Sequence, residues 1–203
     1  MGDREESGPE HGTRGQYLIA QFGDRSQRRL TLSMLLDLRD LSGDGWAEFA
    51  HRSYRTGKEG VKNERRQRAK QVGAFTGLKT FWNSEAQRNV AIKITPMASV
   101  ADAEREAPIW GLHFMIQAKS EGTVADEIQV DDVEVPHCPG AIITERTISG
   151  PAGTTSMRTV RANVDRVIFV VGCGAQDEFW PWDEVLNVVD KQVAKIQHAL
   201  TVN

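Results

Sequence analysis

The fold is decided by residues 167–200, which read VIFVVGCGAQDEFWPWDEVLNVVDKQVAKIQHAL. Five consecutive apolar residues, Val167–Val171, are typical of a central strand that is buried on both faces. Gly172 and Gly174 are predicted to end this strand, and Pro181 suits the first turn of the helix that follows the loop. Apolar residues then recur at helical spacing, namely Val185, Val188, Val189, Val193, Ile196 and Leu200. The segment therefore predicts a buried strand and an amphipathic helix that closes the domain.

Upstream of this segment, alternation of apolar and polar residues predicts further strands. Gly73–Trp82 and Asn89–Thr95 are predicted to form a hairpin. A helix over Val100–Glu106 follows it, with Ser99 and Asp102 placed as in a capping box. The other strand candidates are Tyr17–Phe22, Leu30–Leu38, Leu112–Ala118, Ile128–Val135, Ala141–Ile148 and Ser156–Ala162.

Two parts of the chain, residues 73–106 and 153–200, share one order of elements: strand, polar turn, strand, proline and acid-capped helix. This order indicates either an internal duplication of a hairpin-plus-helix unit or two independent instances of a common arrangement. Under both interpretations the fold class is α+β, with an antiparallel sheet of seven to nine strands and helices packed on it.

The length and composition are those of a globular domain with a short tail. Residues 1–15 are polar and charged without an apolar period, so we predict a disordered tail there. Residues 16–203 are numerous enough to bury a core without disulfides and are predicted to form a single α+β domain. The net charge of -3 is too small to indicate a nucleic-acid partner by itself.

The apolar segments of the chain are short. None reaches the run of about 18 residues that a membrane-spanning helix requires. Residues 1–15 also lack the apolar core of a signal peptide. We therefore predict that the protein does not contact a membrane and that it is cytoplasmic.

The two cysteines, Cys138 and Cys173, are too few for a disulfide scaffold and are predicted to be reduced, although their spacing leaves a single bridge open. Cys173 follows a buried strand, so its thiol is expected near a sheet end. The thiol is either buried there or accessible and reactive. No catalytic constellation, metal site or cofactor is predicted, because metal-ligand spacings and nucleotide-binding and nucleophile-elbow patterns are absent.

The connection between the closing strand and helix carries the most distinctive short string of the sequence. Phe179, Trp180 and Trp182 lie close to Cys173 there, and aromatic side chains in a loop can line a ligand pocket or form a contact for a partner. These four residues are the candidate ligand-binding residues. The alternative is that the aromatic side chains cover the end of the sheet.

The segment Arg52–Lys70 is strongly basic and contains almost no residue that could enter a core. Its candidate contact residues are Arg52, Arg55, Arg65, Arg66 and Arg68. Clustered cations can neutralise phosphates or bind an acidic partner, while the alternative is a solvated loop.

Three strings of the chain resemble a known family. They are Asn163–Val171, Gln192–Ile196 near the end of the closing helix, and Asp40–Trp46. The C-terminal third of the chain resembles actinobacterial lipoproteins and kinase-sensor domains with a Mog1/PsbP-like α/β sandwich. The resemblance implies a binding role without catalysis and brings no functional residues with it.

The function favoured by the sequence is that of a non-enzymatic binding or protein-interaction domain, for an unknown protein or small molecule. One alternative is a small cofactor-independent enzyme with a pocket near Cys173, His137 and Trp180. Another is a nucleic-acid-associated protein that uses residues 52–70. The sequence leaves the oligomeric state open, including a homodimer formed through the sheet.

Overall fold

A computed structural model describes residues 25–48, 77–97, 99–108, 123–150 and 153–202. The helices in these ranges are α1 (Arg25–Ser33), α2 (Val100–Glu106) and α3 (Trp182–Val202), and a short 3-10 helix spans Leu38–Asp40. The strands are β1 (Trp46–Glu48), β2 (Gly77–Asn83), β3 (Arg88–Pro96), β4 (Thr123–Gln129), β5 (Ile142–Gly150), β6 (Gly153–Val164) and β7 (Val167–Gln176).

The described strands form one antiparallel sheet in the order β1-β2-β3-β7-β6-β5-β4. The central strand β7 pairs with β3 on one side and with β6 on the other. On one face, Phe169 belongs to the core that includes the apolar side of α3, and on the opposite face Ile168 packs with Ala103 of α2. The predicted α+β fold and the predicted central strand are therefore confirmed.

The prediction that Gly172 and Gly174 end the central strand is wrong, because β7 continues to Gln176. A side-chain Cβ at position 174 would lie 2.8 Å from Nδ2 of Asn89 on the paired strand β3. Glycine at this position leaves room for the side chain of Asn89 and does not mark a turn.

The prediction of a strand over Leu30–Leu38 is also wrong, because α1 continues to Ser33. The buried side chains of Thr31, Met34 and Leu35 follow helical spacing, and α1 packs against α3. Leu32 and Leu38, which the alternation would place on the buried face together with Met34 and Leu36, are 38% and 42% exposed. Burial against α3 therefore determines the structure of this segment, and the alternation of leucines does not.

The predicted hairpin is confirmed from Gly77 onward as β2 and β3. The predicted helix over Val100–Glu106 is confirmed as α2, and the Ser99 side chain accepts a hydrogen bond from the backbone N–H of Asp102 at 3.1 Å. The strand candidates Ala141–Ile148 and Ser156–Ala162 are confirmed as parts of β5 and β6.

The strand predicted over Ile128–Val135 is wrong beyond Gln129, where β4 ends. The backbone N–H of Val130 still donates to the carbonyl of Ile143 at 3.0 Å, and a loop follows up to residue 141. In the register of β4 with β5, Gln129 lies opposite Thr144, and β5 begins at Ile142, so residues beyond 131 have no partner in β5.

Two hairpin-plus-helix units are present, β2-β3-α2 and β6-β7-α3. Their helices pack against opposite faces of β7, since the neighbouring residues Ile168 and Phe169 point to opposite sides of the sheet. An internal duplication stays a prediction.

Several predictions concern residues outside the described ranges. They are the tail over 1–15, the strands Tyr17–Phe22 and Leu112–Ala118, and the basic segment Arg52–Lys70. The assignment of residues 16–203 to one domain stays a prediction. Among the described helices, none has the length and apolar character needed to cross a membrane. The cytoplasmic location stays a prediction.

The side chain of Gln192 fixes α3 to the chain that follows α1. It is fully buried, its Nε2 donates to the carbonyl of Met34 at 2.6 Å, and its Oε1 accepts from the backbone N–H of Leu36 at 3.4 Å. These bonds satisfy backbone groups that the end of α1 leaves without a helical partner.

A network of charges reinforces this attachment. The Lys195 ammonium on α3 lies 2.8 Å from the carboxylate of Asp37 and 2.6 Å from that of Asp40, and Lys79 on β2 lies 2.5 Å from Asp37. Partial burial acts to raise the pKa of Asp37, but the hydrogen bonds from Lys195 and Lys79 outweigh it and lower that pKa from 3.8 to about 2. The ionised carboxylate of Asp37 is therefore favoured in the folded protein.

Replacing Val189 by aspartate should destabilise the domain severely. Val189 is fully buried on the face of α3 that packs against the sheet, so Val189→Asp places an unpaired charge in the core. We expect a loss of about 4 kcal/mol in the free energy of unfolding, measured by urea denaturation. The neighbouring exposed residue provides a control, Asp190→Ala, which should change stability little. Equal stability of the two variants would show that α3 does not pack as described.

The carboxylate of Asp37 should contribute stability that is lost in acid. Because its pKa in the folded protein lies below 3.8, the contribution is complete above that pH and disappears as the pH falls towards about 2. The side chain is 41% exposed, so solvent screening limits the expected cost of Asp37→Asn at neutral pH to about 1 kcal/mol. Urea unfolding at neutral pH and at about pH 2.5 should show that this cost shrinks in acid.

The matched control for this experiment is Asp44→Asn, which replaces an exposed aspartate of the loop that follows the 3-10 helix. Its cost should be small at both pH values. A cost of Asp37→Asn that stays constant down to about pH 2.5 would contradict the described charge network.

Candidate functional site

The connection between β7 and α3 crosses the end of the sheet, where the sequence placed the candidate site. Asp177 turns the chain with a φ of 63°, and its backbone N–H donates to the carbonyl of Thr154 at 2.9 Å. The backbone N–H of Val185 then donates to the carbonyl of Pro181 at 3.1 Å, which starts α3. Residues 177–181 are thus attached at one end to β6 and at the other end to the helix.

Trp180 is buried beneath this connection. Its indole Nε1 donates a hydrogen bond to the carbonyl of Gly174 at 3.1 Å, and its ring lies 5.9 Å from that of Trp46 on β1. The guanidinium of Arg88 lies 4.8 Å from the centre of the Trp180 ring. Because these contacts enclose the ring, little of Trp180 is left for a ligand to touch.

Arg158 on β6 holds the rest of the connection in place. Its guanidinium lies 5.3 Å from the ring centre of Phe179 and 4.4 Å from that of Trp182. Its Nε donates to the carboxylate of Glu145 on β5 at 2.7 Å, and its Nη1 donates to the carbonyl of Trp180. One side chain therefore joins two strands, the loop and the first residue of α3.

The ion pair between Arg158 and Glu145 is largely shielded from water. Their side chains are 16% and 17% exposed, so the loss of hydration offsets part of the attraction, and removing one partner would leave the other charge partly buried and unpaired. A second pair joins Arg88 to Glu184 on α3 at 2.7 Å, but the Glu184 carboxylate is more exposed and screening weakens its attraction.

The connection also carries exposed or partly exposed apolar residues and exposed acidic residues that are their neighbours in the sequence. We name as the apolar strip the half-buried rings of Phe179 and Trp182 together with the exposed Pro181. Three exposed acidic residues next to it, named the flanking carboxylates, are Asp177, Glu178 and Asp183. Within the described part of the chain, none of these carboxylates has an ion-pair partner.

Cys173 does not reach the sheet end, contrary to the sequence-based expectation. It lies within β7, is fully buried, and is paired in register with Val90 on β3 and Arg158 on β6. Burial raises the pKa of its thiol, and the negative charge of Glu184 adds to this effect. The thiol of Cys173 is therefore protonated and inaccessible at neutral pH.

Cys138 is also free and buried, so the prediction of two reduced cysteines is confirmed. Burial, with a smaller contribution from Asp190, raises the pKa of its thiol to about 11. Cys138 and His137 line an open cleft of about 450 Å³ formed by residues 131–141, and this cleft does not include Cys173 or Trp180. The described residues thus do not form a common pocket from Cys173, His137 and Trp180.

The sequence interpretation found the aromatic residues of the connection and missed Arg88, Glu145 and Arg158. A signal for Arg158 exists, because period-two alternation in β6 places it on the same face as Val160 and Ala162. An arginine on the core-facing side of a strand requires a buried partner, and that requirement could have identified it. The candidate basic residues Arg52, Arg55, Arg65, Arg66 and Arg68 lie outside the described residues.

Neither thiol should react in the folded protein. At about pH 8, a disulfide-exchange reagent should label Cys138 and Cys173 only after unfolding in guanidinium, because both are buried and have raised pKa values. The same reagent should label an added exposed thiol rapidly in the variant Pro181→Cys. Fast labelling of the native protein without this substitution would contradict the described burial.

No protein-family model matches the chain, and a comparison with curated proteins finds no match. A putative uncharacterized protein from Mycobacterium smegmatis has a similar structure, with 10% identity and a TM-score of 0.42, over 76% of this chain and 90% of its own. The extracellular domain of PknH from Mycobacterium tuberculosis has 10% identity and a TM-score of 0.45, over 91% of this chain and 96% of its own.

The similarity to PknH agrees with the predicted resemblance to kinase-sensor domains, and neither description mentions Mog1 or PsbP. Both TM-scores are too low for the likeness to carry an argument about the site. The geometry described above is therefore the basis for a functional proposal.

Proposed function

We propose that this chain is a non-enzymatic binding domain that contacts a protein or peptide partner through the apolar strip. The observation that carries this proposal is the position of Arg158, which holds Phe179 and Trp182 from the side of the sheet. Pro181 is exposed, and Phe179 and Trp182 are only partly buried. Such a surface has an apolar centre and a charged rim, as protein interfaces do.

The fixed position of the strip favours binding. An aromatic side chain that is already ordered loses little conformational entropy when a partner covers it. The contacts of Arg158 with Glu145 and with the carbonyl of Trp180 supply this order before binding. Tryptophan is also among the residues that contribute most to binding energy at interfaces.

The buried thiol supports binding over catalysis at this end of the sheet. The alternative enzyme would use Cys173, but this residue is fully buried and its pKa is raised. A nucleophilic cysteine needs access to substrate and an appreciable thiolate fraction at neutral pH. Neither condition holds for Cys173.

Selection from a random peptide library displayed on phage tests this proposal. Enriched peptides are synthesised and their affinities are measured for the variant Pro181→Cys, before and after its thiol is coupled to polyethylene glycol. The polymer should cover the apolar strip while Phe179 and Trp182 stay in place, and the buried native thiols should stay unmodified. We expect coupling to weaken binding by about tenfold or more, since it excludes a partner from the central contacts.

The matched control is Asp132→Cys with the same polymer, because Asp132 is exposed in the loop of residues 131–141. Its affinity for the enriched peptides should be unaffected by coupling. A library that yields no enriched peptide would contradict the proposal, as would peptides that bind equally well after coupling at position 181.

A further inference from the structure

We propose that the apolar strip and the flanking carboxylates recognise an arginine side chain on a peptide segment of the partner. This inference rests on the proposed function and adds the chemistry of the ligand. The occupant is a basic peptide and not a phosphate-bearing ligand, because Asp177, Glu178 and Asp183 would repel an anion.

The same segment of the chain already binds two guanidinium groups. Arg158 lies beside the rings of Phe179 and Trp182, at 5.3 and 4.4 Å from their centres, and Arg88 lies 4.8 Å from the centre of Trp180. Each arginine combines the contact with an aromatic ring and an ion pair to a carboxylate at 2.7 Å. A planar guanidinium is suited to this combination, because it stacks on rings and donates in its own plane.

The same segment also carries aromatic residues that are only partly buried and carboxylates that have no ion-pair partner in the part of the chain that the structure describes. Trp182 and Phe179 are half-buried, so part of each residue remains exposed. The flanking carboxylates have no ion-pair partner within the described residues, whereas Glu184 and Glu145 are paired. An arginine from a partner would supply the missing positive charge.

The flanking carboxylates are not equivalent. Asp183 lies in the first turn of α3, where the helix dipole favours its negative charge and offsets part of its attraction for a cation. Asp177 and Glu178 precede the helix, so the helix dipole does not offset their attraction for a cation. We therefore expect Asp177 and Glu178 to contribute most of the electrostatic attraction and the rings to select arginine over lysine.

Fluorescence anisotropy with labelled hexa-arginine, hexalysine and hexaglutamate peptides tests this inference on the full chain. Hexa-arginine should bind, hexaglutamate should not, and hexalysine should bind about fivefold more weakly because an ammonium stacks less well on aromatic rings. Equal affinity for hexa-arginine and hexalysine would overturn the proposal, and so would absence of hexa-arginine binding.

Two triple variants with the same change in net charge locate the binding. The first neutralises the flanking carboxylates: Asp177→Asn, Glu178→Gln and Asp183→Asn. The second neutralises the acidic loop elsewhere: Asp131→Asn, Asp132→Asn and Glu134→Gln. Asparagine tolerates the positive φ of residue 177, so the first variant should keep its fold, which its melting temperature will report.

The first variant should lose about tenfold in affinity for hexa-arginine, because charge-assisted contacts at the strip are removed. The second variant should lose less than about twofold, since only long-range attraction changes. Equal losses in both variants would mean that the peptide follows overall charge, and this result would overturn the proposal.

Two further outcomes separate this inference from the proposed function. If library peptides require the apolar strip but carry no arginine, the binding function stands and the arginine proposal fails. If sedimentation velocity shows a dimer that the first triple variant dissociates, the strip binds a second copy of the chain, and the proposal of a separate arginine-bearing partner is overturned.

Discussion

The guanidinium of Arg158 joins parts of the chain that are distant in sequence at one end of the sheet. It connects β6 to Glu145 on β5, to the carbonyl of Trp180 in the loop, and to the ring of Trp182 at the start of α3. Helix α3 in turn covers the central strand β7, which could not be buried on that face without it. Because a partly buried cation needs its partners, loss of any one of these contacts would leave Arg158 with unsatisfied charge or hydrogen-bonding groups.

The elements that sequence reasoning predicted correctly have strong local signals. The apolar run at Val167–Val171 and the valine spacing of α3 identify a strand and a helix from neighbouring residues alone. The segment Leu30–Leu38 has alternating leucines as well, but its structure depends on contacts with α3 that lie about 150 residues away and outweigh local preference. Gly174 was misinterpreted for a similar reason, since it lies against the side chain of Asn89 on another strand and does not end β7.

The candidate site was predicted only in part, because its aromatic residues are visible in the sequence whereas the contacts that arrange them come from distant strands. Phe179, Trp180 and Trp182 are conspicuous in the sequence because they stand together around Pro181 in a segment between a strand and a helix. Their division into a buried ring and two half-buried rings depends on Arg158, which precedes them by about twenty residues and carries no motif. The flanking carboxylates carry no motif in the sequence, and their exposure beside partly buried aromatic residues gives them a functional interpretation.

The exchange rate of the Trp180 indole proton tests most directly whether Arg158 holds the connection on the sheet. This proton is bonded to the carbonyl of Gly174 beneath the loop, so it should exchange slowly with solvent in the wild-type protein. In Arg158→Lys the ammonium can keep its pair with Glu145 but cannot also contact both rings and the Trp180 carbonyl. Nuclear magnetic resonance should show exchange of the indole proton about tenfold faster in the variant, with the backbone amides of β7 unchanged. Equal indole exchange rates in the two proteins would contradict the role assigned to Arg158.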